Sequence, residues 1–388
     1  MFDMNLKIKT DFLLILLVIV IVIVIISNCT TKNNNKNLPA MPEQQKELLL
    51  QHKQKGIDVG EVLKEANLTP VNQHGKIRDF KLNTYINDTL KLRHPNPITM
   101  CRSVETENYF YLNNIIQSPT HNNIAQFYKN GKYIKSFGRK GRGPGEKTSI
   151  GVIAEQNDTT YLFDNGYLKL FDKELKEINR IFLGLWANQV YLNDHTIDLK
   201  IAANKYFPFP VTLIDKKKYE ITLSIIDARP DILKTTTTSD NTFFSNDNYL
   251  FYAKTTLDLL HVLNKKNNTF SHFKLSSDFI RENKKSLEEN ATPDEYVAFF
   301  KNLFVIERLH YVNNNLWVLF RDGTGENMKR YLGKVSNLFT GNQRKFVMYD
   351  LNTVANYDFG FYKDHLNLSY ENENKTETIL YQIKLNRI

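Results

Sequence analysis

The sequence predicts an all-β protein, a six-bladed β-propeller with a short N-terminal helical tether and a small helical insertion. Three observations predict it. Aromatic residues make up 12% of the 388 residues, with 25 Phe and 20 Tyr, which suits half-buried pleated strands. From about Val71 onward, short β-branched and aromatic runs alternate with Asn, Asp, Gly and Lys turns. Where these units are regularly spaced, they recur about every 50 residues, the period of a four-stranded propeller blade.

The first clear unit contains Tyr109 to Leu112, then Ile124 to Tyr128, then a Lys129-Asn130-Gly131 turn into Tyr133 to Phe137. Asn-Gly between apolar runs is a strong hairpin signal, because a type I′ turn needs positive φ at both central residues. The texture repeats in Thr160 to Phe163, Asp164-Asn165-Gly166, Tyr167 to Phe171 and Ile178 to Phe182. Later units run Tyr249 to Tyr252, Leu259 to Leu263 and Phe270 to Leu275, then Leu316 to Phe320, Arg330 to Val335 and Arg344 to Tyr349. Phe359 to Tyr362, Leu366 to Tyr370 and Thr378 to Leu385 end the chain. Analogous strands near 110, 161, 250, 317 and 367 read as the inner strands of the blades, with a degenerate unit over 198–226 between them. About 310 residues at this period make six blades, whose faces bury against their neighbours. A pair of β-sandwiches is the alternative architecture.

One stretch, about 277–304, breaks the pattern. Thr292 and Glu295 form a capping-box signature with Pro293 at the first turn. Tyr296, Phe299, Phe300, Leu303 and Ile306 then recur at near-helical spacing. A helical insertion packed on one propeller face is expected, with a lid over the channel as the sharper alternative.

The N-terminal region is of another kind. Lys7 and Lys9 precede an unbroken apolar run from Phe12 to Ile26, about 15 residues, short of the roughly 20 that span a bilayer as a helix. The exit, Ile26-Ser27-Asn28-Cys29, resembles the lipobox of bacterial lipoproteins, in which the cysteine is acylated and becomes the new N-terminus; Asn28 departs from the usual small residue. Residues 1–28 are therefore expected to be a signal peptide and Cys29 the lipidation site, with an uncleaved signal-anchor as the alternative. Residues 29–75 are expected to be a polar tether with helices over Glu43 to Lys55, ended by Gly56, and Gly60 to Asn67. Residues 76–388 are expected to form the propeller.

The formal charge of +9 comes from 51 basic and 42 acidic residues scattered along the chain. There is no dense basic tract with interleaved aromatics, so nucleic acid is not an expected partner. Cys29 and Cys101 are the two cysteines; lipidation of the first leaves Cys101 as a small buried residue. The histidines (His94, His121, His195, His261 and His310 among them) lack metal-ligand spacing, and no calcium loop or nucleophile elbow is present. No catalytic residue, cofactor or metal is expected, and His261 reads as a core or channel histidine.

The most distinctive segment is Ser136-Phe137-Gly138-Arg139-Lys140-Gly141-Arg142-Gly143-Pro144-Gly145-Glu146. It resembles the Gly-x-Gly-x-Gly-Pro-Gly-Glu signature of six-bladed β-propeller lipoproteins of Gram-negative bacteria, TolB-like and NHL-like relatives, over about Tyr109 to Phe171. The resemblance implies a lipidated N-terminus, six blades and no established activity. From the residues alone, successive backbone N–H groups with Arg139, Lys140 and Arg142 could hold an anion, but Pro144 removes a donor and a strand follows. The loop is expected to be an inter-blade turn, with Glu146 fixing it or pairing with a nearby arginine. Weak ligand contact through Arg139, Lys140, Arg142 and Glu146 is the alternative.

These readings converge on an exported protein of the cell envelope, held by N-terminal lipid to the outer membrane and facing the periplasm or the surface. Its propeller is expected to bind or scaffold a protein, peptide or glycan. The competing class is a propeller lyase or lactonase with a metal in the channel.

Overall fold

The computed structural model describes residues from 43 onward, apart from 65, 96–100, 115–122, 142, 145, 148–151, 202–208, 228–240, 255–258, 278–279, 281–291, 293, 296–297, 300–302, 325–327, 342–343 and 373–375. The expected signal peptide and Cys29 lie outside the described residues. So do Arg142 and most of the expected helical insertion. The chain divides into two compact units, Met1–Glu47 and Leu48–Ile388.

The second unit is a six-bladed β-propeller. Its blades start from innermost strands at Cys101–Glu105 (blade I), Val152–Gln156 (II), Ala187–Leu192 (III), Asn241–Ser245 (IV), Phe304–Val312 (V) and Asp358–Tyr362 (VI). In each blade the next strands outward pair antiparallel. The strands read in the sequence near 110, 161, 250, 317 and 367 are the second strands, one place outward from the centre. The reason is burial: a second strand is covered on both sides by neighbouring blades and so reads as a nearly continuous apolar run, as Leu250 to Lys254 and Leu316 to Phe320 do. The degenerate unit over 198–226 is blade III, with strands Thr196–Ile201, Val211–Asp215 and Ile221–Ile226 outside its innermost one.

Ring closure comes from the N-terminal side. Ile86–Arg93 is the outermost strand of blade VI, antiparallel to Glu377–Lys384, so the two ends of the chain share one sheet and no first-to-last gap remains. The segment before it does more than tether. Gly56–Asp58, Thr69–Asn72 and Arg78–Asp79 add in parallel to the outer edges of blades III, IV and V in turn, forming a strap around three blades. Strands this short carry no alternation from which a strap could be read.

The helix Glu43–Gln54 and the helix Val59–Lys64 fall where helices were expected. Gly56, however, does not cap the first in a left-handed conformation. It is required because a Cβ there would lie 2.3 Å from Ile226 Cδ1 and 2.9 Å from the carbonyl oxygen of His52. The Thr292–Glu295 capping box is formed: the Glu295 carboxylate accepts from Thr292 N–H at 2.7 Å, and the Thr292 hydroxyl accepts from Glu295 N–H at 3.3 Å. Ile306, counted in the helical stripe, lies instead in the innermost strand of blade V, and Leu303 just before that strand is buried. The Asn130-Gly131 turn is also not type I′. Gly131 alone has positive φ (83°), and Tyr128 N–H donates to Lys132 C=O in a three-residue loop with a bulge. Asn165-Gly166 does have positive φ at both residues (50° and 82°).

Candidate functional site

The innermost strands surround a cavity of about 310 Å³ on the propeller axis, lined from five blades by residues that include Arg102, Glu105, Glu155, Gln189, Tyr191 and Arg308. Strand register sets their depths. Arg102 pairs with Asn113, Val152 with Phe163, Gln189 with Lys200, Thr242 with Ala253, Arg308 with Leu319 and Asp358 with Ser369. These pairs are the same rung of each blade. The ring at that level therefore reads Arg308, Asp358, Arg102 across blades V, VI and I, and Val152 and Gln189 across blades II and III, while Thr242 at the same rung of blade IV is buried and donates to Glu307 C=O. One half carries charge and the other is neutral.

Within the charged half, a Nη of Arg308 and the carboxylate of Asp358 are 3.9 Å apart, a charge contact longer than a hydrogen bond. The second carboxylate oxygen of Asp358 accepts weakly, at 3.4 Å, from Ser103 N–H. Arg102 makes no hydrogen bond and no ion pair among the described residues. Its side chain is exposed yet ringed by protein, and this desolvation lowers its pKa from the usual arginine value; nearby Arg308 adds to the lowering and Asp358 opposes it. A guanidinium stays protonated under such shifts. Two cations thus share one acid, leaving one positive charge with donors unused.

The remaining channel carboxylates are committed. Glu105 accepts from Lys129 Nζ at 2.6 Å, Asn367 Nδ2 at 2.6 Å and Gln382 Nε2 at 3.1 Å, tying blade I to blade VI. Glu155 accepts from the Thr106 hydroxyl and, at 2.8 Å, from Asn108 Nδ2, tying blade II to blade I. Opposite, Gln189 Nε2 donates to Tyr191 Oη at 2.8 Å, and burial pushes the Tyr191 phenol up to about 12. Neutral donors and acceptors therefore face the cationic arc. Among the described residues, no group of three or more His, Cys, Asp or Glu side chains converges as a metal would need.

The glycine-rich loop lies elsewhere, between the outermost strand of blade I and the innermost strand of blade II. It brings Arg139 and Glu146 together at 3.1 Å, and the other Glu146 oxygen accepts from Gly143 N–H at 2.8 Å. A Cβ at Gly141 would stand 1.9 Å from that carboxylate, so the glycine is needed to let Glu146 fold back. Lys140 is exposed. The loop is fastened to blade II twice: Arg180 donates to Gly143 C=O at 2.9 Å, and Lys169 donates to Glu146 C=O. Lys147, which follows the motif, is wholly buried and donates to Asn113 Oδ1 at 2.8 Å; burial pulls its ammonium down to about 8. The loop is an inter-blade fastening with Glu146 as its pin.

His261 is buried, with its Nδ1 2.8 Å from Nδ1 of His272 and its ring stacked on Tyr252. Sequence reasoning found none of the channel charges. Arg102 and Arg308 sit in strands of mixed polarity, and only matching their rungs to the second strands places them at one level. Cys101 lies beside Arg102 in blade I, but its side chain is outside the described residues.

Comparison with known proteins supports the fold and goes no further. A protein of Bacteroides fragilis described as exported aligns with a TM-score of 0.58 at 12% identity, over 82% of this chain and 99% of its own. A member of the DUF4221 family from Bacteroides vulgatus aligns with a TM-score of 0.55 at 12% identity, over 77% of this chain and 97% of its own. The chain is a six-bladed β-propeller. Neither a family model nor a curated protein sequence matches it.

Proposed function

We propose that this propeller is an exported, membrane-held binding module that captures an anionic group of a protein, peptide or glycan in its channel. The observation that carries the reading is Arg102, a guanidinium without a partner among the described residues, set at one level with Arg308 while only Asp358 answers both. A carboxylate, sulfate or phosphate entering there would take charge-assisted hydrogen bonds from two arginines, and the Gln189–Tyr191 side would orient its polar remainder. Among the described residues the one carboxylate beside these arginines, Asp358, is 3.9 Å from Arg308, and the other channel carboxylates, Glu105 and Glu155, are held in hydrogen bonds between blades, which favours binding over a lyase or lactonase.

Export and anchoring rest on Lys7, Lys9, the Phe12–Ile26 run and Cys29, in keeping with the resemblance to TolB-like and NHL-like propeller lipoproteins. The similarity in fold to a Bacteroides protein described as exported agrees with that location. The outer membrane is the anchoring site in this reading.

The test is titration of the detergent-solubilised full chain with polygalacturonate oligomers, heparin-derived oligosaccharides and acidic peptides. At least one anionic series should bind, and Arg102→Gln or Arg308→Gln should each weaken it about 10- to 100-fold, as loss of one charge-assisted contact does. Affinity unchanged in both variants, or equal for neutral counterparts, would refute the channel arginines as the binding groups.

A further inference from the structure

The strap leaves the outer strand edges of two blades unpaired among the described residues. Blades III, IV and V carry strap strands on their outer edges, and blade VI ends on Ile86–Arg93. Blades I and II end on Tyr133–Phe137 and Glu177–Leu185, which no described strand pairs on the outside. An open edge invites unwanted pairing, and natural sheets blunt it with charge. Blade I does so with Lys132 and Lys135. Blade II does not. Of the eight large hydrophobic residues exposed among the described residues, three belong to it, Tyr167, Ile178 and Phe182 at 56% exposure, and a fourth, Trp186 at 66%, directly follows its outermost strand. Phe182 packs against Tyr167 with ring centroids 5.1 Å apart, and Ile178 and Trp186 lie four residues to either side of Phe182 along the chain.

The occupant is indicated by where the chain enters. A Cβ on Gly184, two residues from both Phe182 and Trp186, would meet Leu48 Cδ2 at 3.1 Å and the Phe182 ring at 3.7 Å. The N-terminal side of the second unit thus begins on this same edge. Residues 30–47 separate it from Cys29, of which 43–47 are helical, a reach of roughly 50 Å at most. Trp and Tyr with aliphatic neighbours match the interfacial belt of a bilayer. Local charge is nearly balanced: Arg180, between Ile178 and Phe182, is paired with Glu177 at 2.6 Å, and Lys173 lies 3.8 Å from Glu174. Contact through this patch is therefore apolar rather than electrostatic.

We infer that the open edge of blade II, with Tyr167, Ile178, Phe182 and Trp186, rests on the lipid surface of the membrane that holds the N-terminus. This rests on the anchored reading above. The chain has two tryptophans, and Trp317 is buried at 1% exposure, so Trp186 reports the contact by itself. The full chain is reconstituted into phosphatidylcholine vesicles with and without brominated acyl chains, and the spectrum of Trp186→Phe is subtracted. Floating protein should show blue-shifted Trp186 emission that bromine quenches, unchanged by salt, and Phe182→Asp should lose the quenching without a change in melting. Protein that floats with unquenched, red-shifted Trp186 refutes the lipid contact alone and leaves anchoring standing; quenching that salt abolishes refutes its apolar basis. Protein that does not float refutes anchoring and this contact together.

Discussion

In blade II the second strand, Thr159–Asp164, buries Thr160, Leu162, Phe163 and Asp164, whereas its innermost neighbour, Val152–Gln156, buries Ile153 alone. Blade VI repeats the contrast: Leu366 to Ser369 are all buried in the second strand, and only Phe359 in the innermost. The two strands share a ladder of hydrogen bonds but not a solvent. The second lies between two neighbouring blades; the innermost borders the channel cavity, and there polarity is tolerated. The difference separates what holds the ring together from what is free to meet a ligand. Stability should be concentrated in the second strands, and binding in the innermost.

The largest effect that could break this division is a truncation in a second strand. Phe320 in blade V is fully buried, with its ring 5.7 Å from that of Phe304 and 6.4 Å from that of Phe346. Phe320→Ala should cost about 3–5 kcal/mol, the lost transfer energy plus a cavity that the flanking strands cannot fill. Denaturant titration measures it. A loss below about 1 kcal/mol would mean that the second strands do not carry the core.

A smaller effect sharpens the contrast, because innermost strands have a dry side as well. His310 in blade V is buried, donates from Nε2 to Lys363 C=O at 2.6 Å, and lies between Phe361 and Phe244 at 4.9 and 5.0 Å. Burial lowers its pKa to about 4, from an ordinary value near 6.5. Since the folded value is the lower, the unfolded chain takes up the proton first as pH falls below 6.5. Stability is therefore lost between about pH 6.5 and 4, by at most about 3 kcal/mol. His310→Phe should remove that part of the acid sensitivity, seen as a flatter difference in stability between pH 7 and pH 4 relative to the unsubstituted chain. An identical slope in both would place the acid response elsewhere, His52 being the next candidate because burial also takes it to about 4.

How much the sequence revealed follows the same division. Runs such as Leu316 to Phe320 and Leu366 to Tyr370 were legible because two covered faces exclude polar residues at most positions, and turns such as Asn165-Gly166 were legible because few residues accept positive φ. Ala187–Leu192 was not legible as a strand, since one exposed edge breaks both the apolar run and the alternation, and Asn241–Ser245, although buried from Thr242 to Ser245, mixes two polar residues with two Phe in a run too short to show a period. The strap strands are too short to show any pattern, and their pairing with blades III to V joins residues far apart in the chain. Glu146 could be read as the pin of its loop because a local glycine motif requires it. Arg102, Asp358 and Arg308 could not be grouped, because only ring closure brings blades V, VI and I into one arc.

The smallest expected effect is the most discriminating. Arg102 forms no ion pair or hydrogen bond among the described residues and lies near a second cation, Arg308, so its charge contributes repulsion and incomplete hydration to the folded state. Arg102→Gln should therefore leave the unfolding free energy within about 0.5 kcal/mol or raise it slightly. The same substitution is expected to weaken binding of the anionic probe. A residue whose removal spares the fold but harms binding is retained for the ligand, at some cost to the empty ring. If Arg102→Gln instead destabilised the protein by as much as about 2 kcal/mol, the arginine would be a structural member of the ring and the innermost strands would share the duty of the second. Thermal melting of the variant with and without the anionic probe separates the two outcomes: a binding arginine lowers only the ligand-induced rise, whereas a structural one lowers the melting temperature of the unliganded chain.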